Sequence, residues 1–229
     1  MNKIVLIGTA HLNIESENGK YNANILYDII KKFKPNVIFE ETTINNYIRE
    51  YIYNEKSLFI ERYVIKKYTD NYNIKNIPID TLEEPNNLSE LHDKLTFDLR
   101  IKNENNGDLI ELINVIDDYI VNNGITGINS VYFDDLIFKR HKMYEHYISN
   151  YRNILSDCYC EYISFICEKR ESVMVENIIK YKNLNIRENR YLNAVVLIGA
   201  AHKKSIETKL KKINNIICES YYSKIANGI

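Results

Sequence analysis

The chain has 229 residues, 45% of them hydrophobic and 27% charged, which fits a globular protein large enough for one domain with a sizeable core. Its formal net charge of -1 gives no general attraction to phosphate backbones, so nucleic acid is not expected as a partner, and no apolar run approaches the length of a membrane span. Met1-Asn2-Lys3 leads straight into an apolar run, without the basic and apolar regions of a signal peptide, and the expected location is cytoplasmic.

Residues 3–8 form the first expected strand, and the sequence around its end occurs twice. Val5-Leu6-Ile7-Gly8-Thr9-Ala10-His11 and Val196-Leu197-Ile198-Gly199-Ala200-Ala201-His202 differ only at Thr9 against Ala200. After a loop over 9–20, a helix is expected over 21–34, where Ile25, Leu26, Ile29, Ile30 and Phe33 share a face. Pro35 ends it, and 36–41 reads as a second strand, Val37-Ile38-Phe39 followed by two glutamates. Strand, helix, strand makes a βαβ unit with parallel strands, and uninterrupted apolar runs are what parallel strands buried on both faces require.

Residues 44–68 read as helix with a break near Asn54, and 76–80 as a short third strand whose Pro78 favours a sheet edge or a strand start. From 81 to about 183 the signals are nearly all helical. Segments are expected at 88–99, at 108–121, at 131–151 with Ser130 as cap, and at 157–181, with Gly124 and Gly127 as interruptions. The sheet resumes at 194–199, followed by a helix over 202–212 and a strand over 215–219. The fold expected is a single α/β domain spanning 1–229. A mostly parallel central sheet is flanked by helices, with a helical insertion at about 82–183.

In parallel α/β sheets the ligand crevice lies beyond the carboxyl ends of the strands. His11, Glu40, Asp80 and His202 emerge there, and Gly8 and Gly199 let the backbone turn close to whatever is bound. Side chains alternate along a strand, so only one of Glu40 and Glu41 can face the crevice; alternation alone does not choose between them. Two imidazoles and a carboxylate suit a divalent cation with positions left for water and substrate. Arg170 falls in the apolar stripe of Ile163, Cys167, Met174 and Ile178, where a guanidinium needs a buried partner or a bound anion. The remaining candidates are weaker. His141 and Glu145 are separated by three residues where an inverted zincin motif has two, His92 has no sequence partner, and Cys158, Cys160, Cys167 and Cys218 lack zinc-site spacing.

Taken in order, Gly8-x-x-His11, Pro35 with Val37 to Glu40, Arg170-x-x-x-Met174 and Gly199-x-x-His202 resemble the TraB/PrgY–Tiki superfamily, related in fold to erythromycin esterases and haem-binding ChaN proteins. The resemblance implies a ChaN/EreA-like α/β core and a metal-dependent hydrolase, a peptidase or amidase, using a manganese-, cobalt- or zinc-type divalent cation. It selects Glu40 over Glu41, makes His11, His202 and Glu40 the metal ligands, gives Glu40 and Arg170 catalytic roles, and leaves Asp80, Gly8 and Gly199 to shape the substrate side. The substrate would be a peptide or small molecule. Metal-free esterase chemistry on the same residues, or haem or ligand binding without turnover, are the alternatives. Glu171 stands where relatives often carry Asn or Asp.

Overall fold

The computed structural model describes residues 2–13, 19–53, 59–80, 107–150, 164–188 and 190–222. In chain order these form β1 (Asn2–Thr9), α1 (Ala23–Phe33), β2 (Val37–Glu40), α2 (Ile44–Tyr47), α3 (Ile60–Tyr72), β3 (Lys75–Pro78), α4 (Asp108–Ile128), α5 (Val131–Asn150), α6 (Glu171–Arg187), β4 (Asn193–Gly199), α7 (Ala200–Lys211) and β5 (Ile216–Ser220). Two π-helical stretches, Ile48–Ile52 and Ser164–Arg170, follow α2 and precede α6. The five strands make one all-parallel sheet in the order β3-β2-β4-β1-β5, flanked by the seven helices. No helix among the described residues is long and apolar enough to cross a membrane.

The strands are apolar because both faces of the sheet are covered. Val5 and Ile7 of β1, Ile38 of β2, and Val195 and Leu197 of β4 pack against α1, α3, α4 and α5, the first face. Ile4, Leu6, Val37, Phe39, Val196 and Ile198 point the other way, towards Met174, Val175 and Ile178 of α6 and Ile206 and Leu210 of α7, the second face. The helical stretch between β3 and β4 thus supplies cover to both faces. Pro78 ends β3, which is an edge strand, where a missing N–H costs no ladder bond.

Several boundaries differ from the pattern-based expectation, each for a local reason. α1 is capped by Asn22, whose side chain accepts from the Ile25 N–H, and stops at left-handed Lys34 before Pro35. The stretch expected to be helical over 44–68 divides into α2 with its π turn and α3, and α3 continues to Tyr72, ending at left-handed Asn73. Gly124 interrupts α4, with φ 57 and ψ -149. α7 begins at Ala200, two residues earlier than the 202 expected, because Gly199 at φ -49 and ψ 128 passes from strand to helix without a loop. His202 is therefore in the first turn of α7. The segment expected at 88–99 lies outside the described residues.

Candidate active site

The two copies of the repeat are neighbours in the sheet but are not in register. β1 and β4 pair with Gly8 opposite Ile198 and Thr9 opposite Gly199, a stagger of one residue. Side chains alternate along a strand, so the stagger turns equivalent residues to opposite faces: Val5 lies in the first-face cluster and Val196 in the second. The histidines, which lie beyond the strand ends, are also held from opposite sides. His11 Nδ1 lies 2.5 Å from Oε1 of Glu61 on α3, whereas His202 Nδ1 lies 3.0 Å from Oε1 of Glu171 on α6. Glu171 in turn accepts from the Ser205 hydroxyl and, at 2.7 Å, from Lys209 Nζ. His11 itself adopts a left-handed φ of 51, after Ala10 has donated its N–H to the Tyr21 hydroxyl at 2.9 Å.

Between the imidazoles sits Glu41, whose side chain is 4% exposed. Its Oε2 accepts the Gly199 N–H at 2.5 Å and lies 3.8 Å from His11 Nε2. Its Oε1 lies 3.1 Å from Arg170 Nη2 and 4.0 Å from His202 Nε2. Arg170 also donates from Nε and Nη2 to Oδ2 of Asp80, at 2.7 and 2.6 Å. Burial by itself would raise the Glu41 pKa, but the charges of His202, His11 and Arg170 and the Gly199 N–H outweigh it and hold the carboxyl below the usual range. Burial would likewise lower the His11 pKa; its hydrogen bond to Glu61 and the charges of Glu41 and Glu61 prevail, and the pKa is raised.

Gly199 is small for a reason visible here. A Cβ at this position would lie 2.9 Å from His11 Nε2 and 3.2 Å from Glu41 Oε2. At Gly8 an added Cβ would instead meet Ala200, 3.0 Å from its Cβ. One glycine of the repeat makes room for the site, and the other lets the start of α7 pack on β1.

His11, His202, Arg170 and Asp80 are brought together, but Glu40, chosen on the family resemblance, is not. Glu40 is still in the strand and points to the first face, where it accepts from the Tyr51 hydroxyl at 2.8 Å and Asn76 Nδ2 at 2.6 Å, with Arg62 Nε 3.5 Å away. Glu41, one residue on, turns into the cleft. Alternation permits only one carboxylate there, and the chain places the second. Burial, partly offset by Asn76, Tyr51 and Arg62, pushes the Glu40 pKa up to about 7. Sequence reading also passed over Glu61. It lies one position beside Ile60 and three and four residues before the buried Val64 and Ile65, so a carboxylate in an apolar stripe was the available signal.

The donor types around Glu41 suit a divalent cation, but the placement does not. Zinc-type bonds of about 2.1 Å at tetrahedral angles put neighbouring donors roughly 3.4 Å apart. The two imidazole–carboxylate separations are 3.8 and 4.0 Å, and the Arg170 guanidinium already rests on Glu41. Among the described residues, no group of three or more His, Cys, Asp or Glu side chains is arranged to hold a metal ion. No family model, curated protein or solved structure matches the chain.

Proposed function

We propose that this chain is a hydrolase acting on a carbonyl substrate, a peptide-type amide or an ester, with His11, His202 and Glu41 as its reactive centre. One observation carries the reading: two imidazoles, each held at Nδ1 by a carboxylate, direct Nε2 towards one buried glutamate from opposite faces of the sheet. An Nδ1–H bonded to Glu61 or Glu171 leaves the Nε2 lone pair as a base. The gaps of 3.8 and 4.0 Å are too long for direct hydrogen bonds and short enough for one water oxygen to reach an imidazole and Glu41 together.

His11 is the more accessible of the two, its side chain 44% exposed against 12% for His202. In the reaction His11 Nε2 takes a proton from water as the water oxygen bonds to the carbonyl carbon. The imidazolium then returns the proton to the leaving nitrogen or oxygen as that bond breaks. Ionised Glu41 orients the water and stabilises the imidazolium. Arg170, anchored on Asp80, keeps Glu41 ionised and in place. Positive charge for the developing oxyanion comes from Arg170 and the amino end of α7.

The test is turnover of a panel of p-nitrophenyl esters and fluorogenic peptides by wild type, His11→Ala, His202→Ala and Glu41→Gln. Each variant is expected to lose about 100-fold or more, the scale of general acid–base catalysis. Full turnover by either histidine variant would show that the two imidazoles do not share a site. A second reading gives His11, His202 and Glu41 to a divalent cation. It is favoured by the carboxylates on both Nδ1 atoms, an arrangement common behind metal-bound imidazoles. Metal analysis of the purified protein, with activity measured before and after chelation, separates the two readings.

A further inference from the structure

The geometry points to Asn129 as a positioning residue for His11, acting through the backbone of Gly8. Asn129 follows α4 and is 1% exposed. Its Oδ1 accepts the Gly8 N–H at 2.6 Å, and its Nδ2 donates to the Gly8 carbonyl at 3.0 Å and to the Ile125 carbonyl at 2.8 Å.

These two bonds to Gly8 replace a missing strand. β1 is paired on both sides only as far as Leu6, where its register with β5 ends at Ser220. On the β4 side the ladder continues through Thr9 opposite Gly199. In a parallel sheet a residue sends its N–H and C=O to the same neighbour, alternating side by side along the strand. Gly8 therefore faces the side where β5 has stopped, and the Asn129 amide, with one donor and one acceptor, fills the place of a peptide group.

From there each residue up to His11 is held by a different element. Gly8 is held by Asn129, Thr9 by β4, Ala10 by the Tyr21 hydroxyl and His11 by Glu61. Asn129 lies beyond a kink of α4 at Gly124, where the backbone leaves helical φ/ψ. The Ile125 N–H bonds to the Lys20 carbonyl at 3.2 Å there, and a Cβ on Gly124 would lie 2.0 Å from that oxygen. Without the amide, the end of β1 is free to shift, and the His11–Glu61 bond is what that shift loosens. The inference rests on His11 being the reacting base, but its test does not depend on turnover.

The experiment is NMR of the whole chain with 15N-labelled histidine, comparing wild type with Asn129→Ala and Asn129→Asp. Asp keeps the acceptor for the Gly8 N–H and loses the donor. In Asn129→Ala the His11 Nδ1–H resonance should broaden or vanish, while that of His202, held by Glu171, stays unchanged. Asn129→Asp should give a smaller change of the same kind. Unchanged His11 resonances would overturn the inference. So would equal movement of His202, or failure of both variants to fold, since either result makes Asn129 a general structural residue. If His11 responds as expected while His11→Ala keeps full turnover, positioning stands and the hydrolase reading falls.

Discussion

Gly199→Ala separates the site from the fold more cleanly than removal of any charged group. The new Cβ would lie 2.9 Å from His11 Nε2 and 3.2 Å from Glu41 Oε2, against ordinary contacts that begin at 3.4 Å. The imidazole must therefore withdraw by about 0.5 Å, on the general rule that contacts shorter than van der Waals distance are relieved by movement of the freer group. The backbone adds no strain of its own, because φ -49 and ψ 128 are open to alanine. Losing glycine as helix cap and gaining a stiffer unfolded chain are opposed effects of up to about 1 kcal/mol each, so global stability should change by less than that. A misplacement of about 1 Å costs on the order of 100-fold in rate, so half that distance should cost roughly 10- to 100-fold, or about 1.4–2.8 kcal/mol of transition-state stabilisation. The assay is kcat/KM on the best ester or peptide found for the wild type, with the urea midpoint measured in parallel. Gly8→Ala is the control: its Cβ meets Ala200 atoms at 3.0 and 3.1 Å in a packed interior, so it should lose about 1–3 kcal/mol of stability. If Gly199→Ala folds normally and keeps its full rate, His11 Nε2 is not where the reaction occurs.

Two further outcomes follow from groups outside the proposed reaction. Glu40 moves from an ordinary 4.5 to about 7 in the folded chain, so between those values the folded state holds more protons than the unfolded. Stability should fall by about 3 kcal/mol as pH rises through that window. Glu40→Gln, which mimics the protonated acid, should flatten that fall, and urea midpoints at pH 5 and pH 8 measure it. Equal destabilisation of Glu40→Gln at both pH values would refute the account. Lys203 is 0% exposed and its Nζ lies 2.9 Å from Asp134 Oδ1. Lys203→Met leaves that carboxylate without its cation and should cost about 3–5 kcal/mol, whereas Lys203→Met with Asp134→Leu should recover most of it, measured by urea denaturation.

Much of the sheet was legible because parallel strands buried on both faces have little choice of composition. β1, β2 and β4 were read from unbroken apolar runs, and all three occupy the middle of the sheet. Pro78 pointed to a sheet edge or a strand start for a chemical reason, the missing donor, and it lies at the end of an edge strand. The choice between Glu40 and Glu41 was not legible. Both are buried carboxylates at a strand end, and which one turns inward depends on the residue at which β2 stops. Asn129 left no local signal at all, since its partner is 121 positions away. Glu171 was noticed only as a departure from a pattern, and its use became apparent when α6 was placed beside the first turn of α7.

The two repeats are staggered by one residue, and the site they lead into is backed from both faces of the sheet. In exact register, equivalent residues of adjacent parallel strands would point to the same face; here they point to opposite faces. Beyond the strand ends, the left-handed turn at His11 places it against Glu61 of α3, and the first turn of α7 places His202 against Glu171 of α6. Two carboxylates can then each secure an imidazole without sharing a crowded layer, where like charges would raise one another's pKa. The space between the imidazoles is left to the neighbouring strand, and β2 fills it with Glu41. Near-identical sequence thus produces two unlike histidines. One is exposed on a left-handed turn, and the other is sheltered in a helix whose N-terminal Gly199 holds the carboxylate between them.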